Sequence, residues 1–177
     1  MPFKEMHWPV SVGMVVVFML TGWILNFVSF TAPFWNNSKL YHWGLWQMCD
    51  ERTGCDGISS KDLTDVMQIG RIFLTLSFIA YFVLIILVVL YLFWRSDLRF
   101  LSAAAVTSFL ILLGLFLGAI LWISRANTTL SWCYYLCYAS AFLVSASGGV
   151  ILHVRRQERL RLNDVQEQPQ EIRLAGV

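Results

Sequence analysis

The chain has 177 residues, 58% of them hydrophobic and only 14% charged, with a formal net charge of +2. Soluble domains run about 45–50% apolar and about 25% charged, so an ordinary soluble domain is excluded, and so small a net charge gives no basis for nucleic-acid binding. The charges fall in short clusters between long apolar stretches, the pattern of a chain that crosses a bilayer repeatedly.

The first charge-free stretch is residues 9–30; three more follow at about 72–94, 100–123 and 132–152. Each exceeds the roughly 20 residues a helix needs to cross about 30 Å of hydrocarbon, and helices satisfy their backbones internally as lipid requires. The fold expected is an all-α membrane protein, a bundle of four transmembrane helices. A cleaved signal peptide is the rival reading of the first stretch. Its apolar core is too long for that, and no small-x-small cleavage site follows in Thr31-Ala-Pro-Phe-Trp35.

Basic residues give the spans a direction. With both termini in the cytosol, the inner segments hold Lys4, Arg95, Arg99, Arg155, Arg156, Arg159, Arg161 and Arg173. The outer loops, 31–71 and 124–131, hold Lys39, Arg52, Lys61, Arg71 and Arg125, diluted by Asp50, Glu51, Asp56, Asp62 and Asp65. The positive-inside rule favours that orientation. Trp8 and Trp94 then mark inner borders and Trp35, Trp122 and Trp132 outer ones, at the headgroup level that indole rings prefer.

Only the first outer loop is long. Its aromatic, partly alternating run Lys39–Cys49 reads as a strand, Asp50–Gly54 as a turn, and a helix is expected to start near Lys61 or Asp62 and run into the second span. Cys49 and Cys55 are the only cysteines in loop sequence, on the side that meets the oxidising secretory pathway, and the Gly54 turn lets the strand fold back so that they meet. A disulfide is expected; two thiols without a nearby third ligand make a poor metal site.

Ala32-Pro-Phe-Trp35, then Gly44-Leu45-Trp46, then Cys49 and Cys55, resembles the W–GLW–C–C signature of the claudin superfamily, which includes claudins, peripheral myelin and epithelial membrane proteins, the lens fibre membrane protein and calcium-channel gamma subunits. Met67-Gln-Ile-Gly-Arg71 is similar to the segment that opens that family's second helix, so the likeness extends over nearly the whole chain. Five residues between Cys49 and Cys55, and eight between Trp35 and Gly44, make the loop shorter than in typical claudins and closer to the short-loop branch. Claudin pore residues lie in the shortened part, so none is carried over. The resemblance implies a small disulfide-pinned extracellular β-sheet, with Arg71 holding the loop to the bundle; snorkelling to headgroups is the alternative for that side chain. Trp35, Leu45 and Trp46 are expected at the apolar base of the sheet, leaving Leu40, Tyr41 and Met48 as contact surface.

Gly114 and Gly118 form a G-x-x-x-G in the third span, read first as packing inside the bundle and second as a self-association face. Cys133 and Cys137, one turn apart, read as small packing residues, because i,i+4 positions are too far apart for a disulfide. Asn36 and Asn127 open N-x-S/T glycosylation sequons whose closeness to the membrane opposes occupancy. The tail is basic from His153 to Leu162, where it extends the fourth helix along the inner leaflet, and polar and disordered from Asn163 on. Its Leu-Ala-Gly-Val177 end is a weak match to a PDZ ligand.

No His, Ser or Cys has an evident base partner, so no enzyme, cofactor or metal site is expected, and no span carries a carboxylate or lysine that could serve a transport path. Two functional readings remain. One is a plasma-membrane protein of cell–cell adhesion, junctions or membrane organisation, acting through its first outer loop and lateral helix packing. The other is an auxiliary subunit that regulates the gating or trafficking of a channel or receptor.

Overall fold

A computed structural model describes residues 10–38, 41–50, 52–59, 61, 63–93, 98–124 and 129–174, with the backbone alone at 129–130 and beyond 160. The charge-free stretches form four helices: α1 (Val10–Thr31), α2 (Asp65–Phe93), α3 (Leu98–Ile123) and α4 (Trp132–Leu174). All four are long and apolar enough to cross a membrane, with the charge-free part of α4 ending at Leu152. The protein is therefore a multi-pass bundle. The second span begins before the charge-free stretch, at Asp65. Thr64 caps it, its Oγ1 accepting from the Met67 amide at 3.4 Å.

α4 differs most from expectation. Its helix runs on to Leu174, through the stretch where polarity predicts disorder. That stretch is rich in Gln and Glu, good helix formers, with Pro169 the one strong breaker. The C-terminal Ala175–Val177, with its PDZ-like ending, lies outside the described residues.

The buried faces follow one rule. In α1 they are Val12, Val15, Met19, Gly22, Asn26 and Ser29. In α2 they are Met67, Gly70, Leu74, Ser77, Tyr81, Leu84 and Val88. In α3, Leu101, Ala104, Ser108, Ile111, Leu115, Gly118 and Trp122 make the same stripe. Steps of three and four alternate without a break, the 3.5-residue repeat of left-handed bundles. Apolar periodicity does not reveal it, because the lipid-facing sides are apolar too: Ile79 on α2 and Phe142 on α4 are more than half exposed. Small and polar residues mark the inside instead.

α2 packs mainly on α3, α1 on α4, and α3 on α4. Gly114 and Gly118 are used within the chain. A Cβ on Gly118 would stand 2.7 Å from Leu74 Cγ and 3.0 Å from the Gly70 carbonyl oxygen, and one on Gly114 would collide with the Ser77 hydroxyl. The motif therefore seats α3 on α2, its first reading. α1 and α2 stand further apart, and aromatic rings fill the seam. Phe30 stacks on Phe78 at 4.6 Å, and Trp23 meets Phe82 edge-on at 5.9 Å. Tyr81 crosses the core from α2, its hydroxyl 2.8 Å from Ser140 Oγ on α4, in space left by Gly22.

At the end opposite the termini stands an antiparallel sheet of five short strands, in the order β4-β3-β2-β1-β5. β1 is Asn36–Asn37, β2 Tyr41–Trp43, β3 Gln47–Asp50 and β4 Gly54–Gly57; β5 (Thr129–Leu130) comes from the second outer loop. The single strand expected over Lys39–Cys49 is instead two, broken at Gly44-Leu45-Trp46. The Gly44 amide donates to the Gln47 carbonyl at 2.8 Å, closing a hairpin. Gly44 is needed there, because a Cβ would lie 2.5 Å from Pro33 Cα and 2.8 Å from the Ala32 carbonyl oxygen.

Candidate functional site

The candidate site is the sheet and its seat on the helix ends. Trp35 is the hub. Its amide donates to the Trp43 carbonyl at 2.8 Å, and its own carbonyl accepts from the Ser131 amide at 3.2 Å. Its indole Nε1 donates to the Ser29 carbonyl at 2.7 Å. Ser29 in turn donates through Oγ to the Cys133 carbonyl at 2.8 Å. The ring meets Trp122 and Tyr134 edge-on. One residue thus joins α1, the sheet, the second outer loop, α3 and α4, the sheet and loop through its backbone and the helices through its ring.

Trp35 and Trp122 are therefore not headgroup-level belt residues, as their positions suggest. They are about 1% and 0% exposed, packed under the sheet, and only Trp132 of the three keeps a half-open ring. Trp8 and Trp94 lie outside the described residues. Ser29 carries no sequence motif. Its place in the 3-4 stripe of α1, where a polar residue inside lipid must find a partner, is the signal that points to it.

Leu45 is buried beside Trp35 in the same core. Trp46 differs from the expected basal position. Its ring is 36% exposed at the rim, edge-on to Phe30 at 5.2 Å, with the Arg71 guanidinium carbon 3.9 Å from its centroid. Arg71, near the start of α2, therefore grips the hairpin by a cation–π contact, and its Nε has no hydrogen-bond partner among the described residues. Through Phe30 and Phe78 that contact continues into the aromatic seam between α1 and α2. On the other flank Phe34 stacks on His42 at 4.5 Å and leans on Trp132 at 5.7 Å.

The far half of the sheet is held by covalent chemistry. Cys49 and Cys55 sit directly opposite each other in the β3–β4 register and form the disulfide, with Cα atoms 4.0 Å apart. Gly54, with φ of 94°, takes the left-handed conformation that lets the chain reverse. The Asp50 side chain accepts the Arg52 amide at 2.7 Å and tightens the same turn. Cys49 is buried, while all of β4 is exposed, as are Gln47 and Met48. Tyr41 is half-buried against Trp43, and Leu40 lies outside the described residues.

Asn36 is placed where its sequon is closed off. It is 3% exposed, within β1 between β2 and β5, where a glycan has no room. Asn127 lies outside the described residues. Cys133 and Cys137 are buried free thiols in the bundle. Among the described residues no group of three or more His, Cys, Asp or Glu gathers as a metal set would. What the arrangement offers is shape: a pinned, exposed rim on a fixed base.

No protein-family model and no curated protein matches this chain.

Proposed function

We propose that the protein is a non-enzymatic, claudin-like tetraspan of the plasma membrane, with both termini cytosolic, that acts in cell–cell adhesion or junctional membrane organisation through its first outer loop. The observation that carries this reading is the contrast within the sheet. Trp35 and Leu45 are sealed into the bundle, while Gln47, Met48 and the disulfide-bonded strand Gly54–Gly57 face outward. A loop whose only duty were to cap the helices has no need of a covalently fixed outer rim. Met48 is exposed on this rigid strand, and we assign it to the contact surface. The order of the W–GLW–C–C residues supports the same family reading.

The test is imaging of the full-length protein in cells that lack junctions. Enrichment where two expressing cells touch is expected, and Met48→Asp should reduce it while leaving surface expression unchanged. Uniform staining at contacts, together with co-purification of a stoichiometric channel or receptor, would overturn adhesion in favour of an auxiliary-subunit role.

A further inference from the structure

The termini end of the bundle holds an unfilled apolar cleft. All four helices line it, with Val12, Val88, Tyr91, Leu101, Ile151 and Val154 among its walls; it is small, about 20 Å³, and open on one side. Tyr91 alone among the lining residues carries a polar side-chain group. A trapped water needs two to four polar partners, so water is a poor occupant. The cleft lies where the apolar parts of the spans end, its α4 wall running from Ile151 to Val154 beside Arg155.

The rim next to it is basic. Arg155 follows the wall residue Val154 and stands four residues after Ile151, so it projects from the same helical face one turn beyond the cleft. Arg159 repeats that position a turn later. Arg155 is half-buried, and its Nε is enclosed without a hydrogen-bond partner among the described residues. A buried guanidinium N–H lacking a partner is costly, and a phosphate oxygen is the acceptor whose geometry suits it. Among the described residues Glu158 is the acidic group nearby; it faces Tyr91 and has an interaction of its own.

We propose that this end of the bundle is a binding site for one anionic phospholipid of the adjoining leaflet, with the headgroup-proximal methylenes of an acyl chain against the cleft and the phosphate received by Arg155 and Arg159. The site does not depend on the adhesion reading, since it lies at the opposite end of the molecule.

Native mass spectrometry of the delipidated full chain in detergent tests it, with palmitoyl-oleoyl phosphatidylglycerol and the matching phosphatidylcholine offered in equal amounts. One phosphatidylglycerol is expected to be retained preferentially. Arg155→Gln should weaken that preference about five-fold, as expected from about 1 kcal/mol per arginine near anionic lipid. Arg156→Gln removes the same charge from another face of α4 and should change the preference less. Ala104→Leu narrows the cleft and should lower retention of both lipids. Equal retention of the two lipids, equal loss in the Arg155 and Arg156 variants, or binding of glycerol phosphate as strong as that of the lipid would each overturn the proposal. The last outcome assigns the arginines to a free phosphate. The Arg155 and Arg156 variants keep the proposal refutable even if the Ala104 variant does not fold.

Discussion

The contact of Arg71 with Trp46 makes a quantitative prediction. The guanidinium carbon lies 3.9 Å from the ring centroid, on a ring that is 36% exposed. Cation–π pairs contribute about 0.5–1 kcal/mol at exposed sites and about 2 when desolvated, so a half-covered pair should be worth about 1 kcal/mol. Trp46→Leu also loses the edge contact with Phe30, about 0.5–1.5 kcal/mol more. Arg71→Met keeps the stem that packs beside the hairpin and removes only the charge and the planar face. The measurement is a double-mutant cycle on thermal unfolding in detergent. Either single change should lower Tm by a few degrees, since 1 kcal/mol shifts a chain of this size by about 2–4 °C. The double variant should lose less than the sum, by about 1 kcal/mol. Effects that add within about 0.3–0.5 kcal/mol, the margin for independent sites, would refute the claim that Arg71 holds the loop through this ring. Arg71→Lys sharpens the test. It keeps the charge and loses the planar face, so it should fall between wild type and Arg71→Met.

Cys49→Ser opens a ring of sequence separation 6 and should cost about 2 kcal/mol on the loop-entropy scale, read as reduced surface expression; unchanged folding and trafficking would refute a structural role for the bridge. Gly118→Leu forces a side chain against Leu74 and the Gly70 carbonyl, so a loss of about 1–3 kcal/mol in detergent stability is expected. A Gly118 variant that unfolds as wild type but no longer self-associates would mean that the motif serves a second copy. Tyr81→Phe removes both hydrogen bonds of the hydroxyl with Ser140, to its Oγ and its carbonyl oxygen, and should cost about 1 kcal/mol, from an average of about 0.6 per such bond in membrane bundles; a loss several times larger would show that the hydroxyl organises more than this pair.

The spans, the disulfide and the existence of a sheet were legible because each leaves a local mark: a charge-free run, two cysteines around a glycine turn, alternating aromatics. What stayed hidden is relational. Thr129–Leu130 is two residues long and carries no strand signature, yet it completes the sheet by pairing with Asn36–Asn37. Trp35 and Trp122 look like interfacial tryptophans in one dimension and prove to be the floor beneath the sheet. The partner of Gly118 is Gly70, on another helix, which no spacing within α3 discloses. Asn26, Ser29, Ser77 and Ser108 are a signal available in the sequence: inside lipid, polar and small residues at alternating three and four steps trace the buried face that hydrophobicity cannot.

The strand β5 has a consequence for biosynthesis. The β3–β4 hairpin and its disulfide need nothing beyond Gly57, so they can mature while most of the chain is still on the ribosome. The free side of β1 is different. It waits for Thr129–Leu130, which are not made until α2 and α3 have been synthesised. During that interval Asn36 and Asn37 present an open sheet edge, and any other strand can satisfy it. Arrival of the second outer loop ends that exposure. The last strand of the sheet can therefore pair only after the third span has been made, which ties completion of the outer loop to completion of the bundle.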